Sequence, residues 1–160
     1  MHPLNTKWVL WFHNPEDSDW SLESYVKVAT IESFEIFWEI YNNINKGNIE
    51  NGMFFLMREG VNPLWEDSNN INGGCWSFKI FKKNIYDSWI DVSINLVNET
   101  LTKELDNSQI LTGISLSPKK AFCIVKVWNN DKTKNNNSIL SENIINLNLK
   151  ESLYKPHCDR

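Results

Sequence analysis

The chain has 160 residues, 16 basic and 20 acidic side chains and a formal net charge of −4, which excludes a polycation that grips nucleic acid through bulk charge. A hydrophobic share of 41% supports one sizeable core, and a charged share of 22% argues against wholesale disorder. No apolar run approaches the roughly 20 residues a membrane helix needs. One domain over residues 1–160 is expected. The start, Met1 to Asn5, lacks a basic stretch followed by an apolar one, so no secretory signal is expected. Cys75, Cys123 and Cys158 are an odd set with no Cys-x-x-Cys pair. They fit neither a disulfide framework nor a zinc site, and a reducing compartment is the natural setting.

In chain order, Lys7–Phe12 is a short aromatic, apolar run stopped by His13-Asn14-Pro15 and reads as a strand. A polar stretch, Glu16–Ser24, carries one aromatic, Trp20, before a second strand at Tyr25–Ala29. Ser33 can cap the helix that follows, in which Phe34, Phe37, Trp38 and Tyr41 recur at helical spacing. Met53–Met57 is a third strand. Turn chemistry then runs from Asn62 to Asn70, and Gly73-Gly74 leads into a fourth strand, Cys75–Ile80. Ile85–Leu101 has a helical pattern; Ile110–Leu116 and Ala121–Trp128 flank Ser117–Lys120 as a hairpin; Ile139–Leu149 reads as a weaker helix, and Ser152–Tyr154 as a last strand. Asn129–Ser138 is low in complexity and expected to be a mobile loop. The tight connections between strands predict an α+β fold: a largely antiparallel sheet with about three helices on one face.

The chain holds eight tryptophans. Most belong to apolar segments, but Trp20, in Glu-Asp-Ser-Asp-Trp-Ser, and Trp65, in Asn-Pro-Leu-Trp-Glu-Asp, have no helix or strand face to bury them. A single loop Trp more often folds back over the core edge. Two in polar loops point instead to a platform that a flat ligand covers. Glu66 beside Trp65 is an acceptor-only carboxylate, which suits the paired N1 and N2 donors of guanine and not adenine. Trp128, at its strand's end, can stand at the rim of the same pocket or pack as core.

His2-Pro3-Leu4 with Trp8 and Trp11, Phe37-Trp38-Glu39-Ile40-Tyr41-Asn42, Pro63-Leu64-Trp65-Glu66-Asp67 and Gly73-Gly74-Cys75-Trp76 together resemble the translation initiation factor 4E family, the messenger-RNA cap-binding proteins. Order and spacing agree from His2 to Trp128. The stretch 128–160 matches weakly, through Tyr154 and His157, and the chain stops sooner than family members usually do. The resemblance implies that the sheet is curved, with a cap pocket on its concave side and helices on the convex side. Trp20 and Trp65 would sandwich 7-methylguanine, Glu66 would take its N1 and N2 hydrogens, and Trp128 would touch the N7-methyl group. It implies no cofactor, metal or catalysis, a cytoplasmic location with a nuclear one as the alternative addition, and a monomer. Its convex face would receive a short helical peptide from a scaffold factor 4G or a 4E-binding protein, with His2, Pro3, Phe34, Trp38, Ile90, Asp91 and Val97 at the matching positions.

The triphosphate of a cap needs cations, and here the sequence departs from the family. Cys75 stands where the family has Arg, and Ala121 and Ile124 replace later basic residues, while Lys119 is retained. Lys126, two residues before Trp128 on the same strand face, offers a replacement with Lys119 and Lys120. Solvated lysines on an exposed hairpin are the competing reading. An enzyme is the rival from another class. Glu16, Asp17 and Asp19, or Glu66 and Asp67, could pair as acids for metal or proton transfer, but no glycine-rich phosphate loop or nucleophile–base pair accompanies them, and His2, His13 and His157 lack ligand spacing. A cap-binding repressor or decoy would share the same residues, and so would an interaction module that has lost cap binding.

Overall fold

A computed structural model describes residues 1–158. The chain runs β1 (Pro3–His13), β2 (Val26–Ser33), α1 (Phe34–Asn42), α2 (Lys46–Asn51), β3 (Met53–Arg58), β4 (Gly74–Phe81), α3 (Lys82–Val97), α4 (Leu105–Ser108), β5 (Leu111–Pro118), β6 (Phe122–Asn129) and β7 (Leu153–Pro156). The strands form one curved sheet of order β2-β1-β3-β5-β6-β4-β7, and every neighbouring pair is antiparallel. The α+β expectation holds.

Side-chain alternation divides the sheet into two apolar layers. Phe54 and Leu56 on β3, Ile114 and Leu116 on β5, and Val125 and Val127 on β6 face the helices, where they pack with Phe37 and Tyr41 of α1 and Trp89, Val92 and Leu96 of α3. The intervening residues Phe55, Met57, Cys75 and Trp128 form a smaller cluster on the other, concave face, with Trp11, Tyr25 and Met53 against it. Helix α1 begins as its sequence predicts, with Ser33 Oγ accepting from the Ile36 N–H at 3.2 Å. Under the sheet, Arg58 makes a bidentate pair with buried Glu99 (2.7 and 2.9 Å) and donates to the Leu111 and Ser108 carbonyls.

Two expectations need correction. Ile139–Leu149 is not a helix. Leu140, Ile144 and Leu147 are buried as helical spacing suggests, but Asn146 adopts φ 63°, ending any helical run, and its Nδ2 donates to Ser88 Oγ on α3. Among the described residues the helices number four, because the short α2 and α4 join the two long ones. The Asn-rich stretch after Trp128 is tied down rather than free. Trp76 Nε1 donates to the Asn135 carbonyl, and buried Asn129 donates to Lys134 O while its Oδ1 accepts from Gly74 N and Tyr154 Oη. Asn129 thereby joins β6, β4 and β7. Gly73 and Gly74 permit that closeness, since a Cβ on Gly73 would lie 1.8 Å from the Asn129 carbonyl oxygen and one on Gly74 2.4 Å from that of Lys155.

Candidate functional site

A cavity of about 390 Å³ opens on the concave face, lined by Trp20, Tyr25, Phe55, Trp65, Glu66, Lys126 and Trp128, with Ser115 and Ser117 on its floor. The strands supply the floor by register. Phe55 opposes Ser115, Ser115 opposes Lys126, and Trp128 sits two residues further along β6 on the same face. The loops supply the walls. Trp20 and Trp65 are 48% and 47% exposed, so neither indole is core.

Each wall is held from behind. Trp20 lies flat on buried His13, ring centroids 4.2 Å apart and 11° from parallel, which leaves the opposite indole face uncovered. The His13 imidazole bonds the Asp19 carbonyl through Nε2 at 2.7 Å and also meets Ser24 Oγ. Asn14, Asp17 and Asp19 tighten the same loop by accepting backbone N–H groups two residues on. Asp19 holds its proton more weakly than usual, chiefly because the Ser21 N–H donates to it. On the Trp65 side, Asp67 accepts from the Asn62 and Asn69 N–H groups, and buried Asn70 donates to the Leu64 and Asn62 carbonyls. That lock fixes the Leu64-Trp65-Glu66 segment from both ends.

Glu66 is exposed at the mouth and makes no hydrogen bond or ion pair among the described residues. Tyr25, edge-on to Phe55, is pushed up to about 12 by burial and then by the Glu66 charge. Trp128 is buried in the lining, 6% exposed, with its Nε1 donating to Ser115 Oγ. Lys126 is half-buried in the wall, whereas Lys119 and Lys120 are exposed in the β5–β6 turn and line neither this cavity nor its neighbour. The pocket thus gathers Trp20, Trp65, Glu66, Trp128 and Lys126. Sequence reasoning missed His13, Tyr25, Asp67 and Asn70 as its supports; the Asx-turn spacing of Asp17, Asp19 and Asp67 was the available signal.

The second predicted surface lies on the helical side. Trp38 is exposed, Phe34 and Ile90 are half-buried, and exposed His2 pairs with Glu35 while Pro3 stays exposed on β1. The Glu35 carboxyl is lowered to about 2, first by the His2 backbone N–H. Val97, expected on this surface, is 1% exposed and part of the core, because it sits on the sheet-facing side of α3. Asp91 accepts the Ile145 N–H through Oδ2 at 2.8 Å and Asn95 Nδ2 through Oδ1 at 3.4 Å, so both carboxylate oxygens are already engaged. Among the described residues no group of three or more His, Cys, Asp or Glu could hold a metal ion, and no helix is long and apolar enough to cross a membrane.

Comparison with known proteins gives one consistent family. The family model described as eukaryotic initiation factor 4E matches residues 3–160. The eukaryotic translation initiation factor 4E of Candida albicans is 34% identical over 140 residues, covering 81% of this chain and 65% of that protein. The chain spans 65% of the length of this relative and of the Schizosaccharomyces pombe factor 4E-1, and between 55% and 72% of other curated relatives it matches. Among solved structures, Ascaris suum eIF4E-3 in complex with an m7G cap superimposes with a TM-score of 0.73 at 27% identity, covering 83% of this chain and 76% of that one. Caenorhabditis elegans eIF4E-3 in complex with the 4E-binding protein Mextli does so with a TM-score of 0.73 at 25% identity, covering 83% and 78%.

Proposed function

The chain belongs to the eukaryotic initiation factor 4E family, and we propose that it binds the 7-methylguanosine cap of messenger RNA in the concave cavity, by recognition without chemistry. The observation that carries this reading is the pair of half-exposed loop indoles, Trp20 and Trp65, on the rim of one cavity with a free carboxylate, Glu66, between wall and mouth. A flat base stacked on both indoles gains on the order of 1–3 kcal/mol per face. Methylation at N7 gives the base a positive charge, which adds a cation–π attraction that guanine lacks. Glu66 accepts from N1 and N2 in parallel and rejects adenine, which cannot offer that pair. Trp128, deep in the wall, meets the methyl group, and Lys126, with Lys119 and Lys120 at the hairpin, supplies positive charge toward the phosphates. The Ascaris relative's complex with an m7G cap supports the same ligand class.

A short helical peptide from a scaffold initiation factor or a 4E-binding protein docks on the helical face around Pro3, Phe34, Trp38 and Ile90. The exposed indole of Trp38 on α1 favours this, as does the Caenorhabditis relative's complex with a 4E-binding protein. The protein then works as a cytoplasmic translation factor, with sequestration of caps as the alternative outcome of the same binding. Retention on 7-methylguanosine resin, with elution by the free methylated nucleotide and not by guanosine triphosphate, tests the reading. Trp20→Ala and Trp65→Ala should each abolish retention while leaving the circular dichroism spectrum intact. Retention of either variant at wild-type strength refutes it.

A further inference from the structure

Next to the base cavity lies a second one, of about 240 Å³, lined by Trp65, Cys75, Lys126, Trp128, Lys155, Pro156 and His157. Three of these, Trp65, Lys126 and Trp128, also line the first cavity, so the two are continuous along the sheet. Among the described residues no carboxylate lines the second cavity. Neither Lys126 nor Lys155 has an ion-pair partner among the described residues.

The register explains why the two ammonium groups serve one space. On β4, Cys75 opposes Trp128 of β6 on one side and Lys155 of β7 on the other, while Ser77 opposes Lys126. Directly opposed residues of antiparallel strands share a face, so Trp128, Cys75 and Lys155 form one lane and Lys126 enters from the next. Sheet spacing puts the two lysine Cα atoms roughly 12 Å apart, within which their flexible stems can converge. Cys75 between them is 6% exposed and small, so it forms a low floor rather than a barrier. The imidazole of His157, tilted against Trp128 at 4.9 Å, closes the wall. Its buried Nε2 has no partner among the described residues.

We propose that this second cavity is a polyphosphate channel in which Lys155 binds the phosphates farthest from the base, making it the residue that selects a triphosphate over a monophosphate. This inference rests on the base pocket proposed above, with Lys126 at the junction meeting the first phosphate. The cation missing at Cys75 is thus provided by the strand paired with it. It also gives β7 a ligand-binding role, although that segment resembles the family only weakly. The lysines of the β5–β6 turn, which line neither cavity, act at longer range.

Isothermal titration calorimetry of the full chain with 7-methylguanosine mono-, di- and triphosphate reads the assignment directly. Lys155→Ala should weaken the triphosphate about tenfold and leave the monophosphate within about twofold, as loss of one charge-assisted contact to the distal phosphates demands. Lys155→Arg should restore most of the loss, and Lys119→Ala/Lys120→Ala should cost less than Lys155→Ala. Equal weakening of all three nucleotides by Lys155→Ala, or none of the triphosphate, overturns the channel while the base pocket stands. A wild-type chain that binds none of the three, nor 7-methylguanosine itself, overturns the base pocket and the channel with it.

Discussion

His13 offers the sharpest perturbation of the pocket, because it never touches the proposed ligand yet carries one wall of it. Its ring is fully buried, stacks on the far face of Trp20 and bonds the Asp19 carbonyl at 2.7 Å. His13→Phe keeps a ring under the indole but deletes that bond, leaving a carbonyl without its partner at a cost of about 1–3 kcal/mol. His13→Ala removes the stack as well, adding about 0.5–1.5 kcal/mol. Because the Trp20 loop must be ordered when a base is sandwiched, the penalty is drawn from binding. The methylated nucleotide should therefore weaken about tenfold for His13→Phe and more for His13→Ala. Intrinsic fluorescence quenching gives the affinities, and thermal denaturation of the same samples separates local from global loss. If His13→Ala melts earlier but binds as tightly as wild type, His13 is only a core residue and the reasoning about the wall is wrong.

Glu66→Gln places an amide donor against two donors of the base and should cost about tenfold or more in affinity for 7-methylguanosine, with no change in melting temperature; an unchanged affinity contradicts the carboxylate's role. Arg58→Ala strands Glu99 in the core and should cost about 3–5 kcal/mol in urea denaturation, whereas a loss under about 1 kcal/mol would show the pair to be dispensable. His157 is lowered to about 4 by burial and by Lys126, so its folded form resists protonation. Stability should hold above its ordinary value near 6.5 and decline as pH falls from there toward 4, a slope that His157→Asn flattens. Trp38→Ala should release a scaffold-type helical peptide in a pull-down while leaving methylated-cap binding intact, and joint loss of both would tie the two faces together.

What sequence could convey divides along a physical line. Strand alternation on β3 and β6 sorts core from pocket, because opposite faces of one strand carry opposite duties and the pattern has period two. Trp20 and Trp65 stand out because polar loops give them nowhere to hide. Helix α2 escapes notice since its six residues contribute one buried apolar side chain, Ile49. The stretch 139–149 misleads because Leu140, Ile144 and Leu147 are spaced as in a helix, yet the turn at Asn146 is set by Ser88, distant in sequence. The family resemblance sets Val97 on the peptide surface, although α3 turns it to the sheet. Lys155 cannot be found without the register that sets it opposite Cys75.

The most direct test is a titration of the wild-type chain with 7-methylguanosine triphosphate and with guanosine triphosphate, followed by tryptophan fluorescence. Strong, saturable quenching by the methylated nucleotide, at concentrations where the unmethylated one barely registers, is the predicted result. Equal quenching by both, or by neither, contradicts a pocket that grips a charged purine between Trp20 and Trp65.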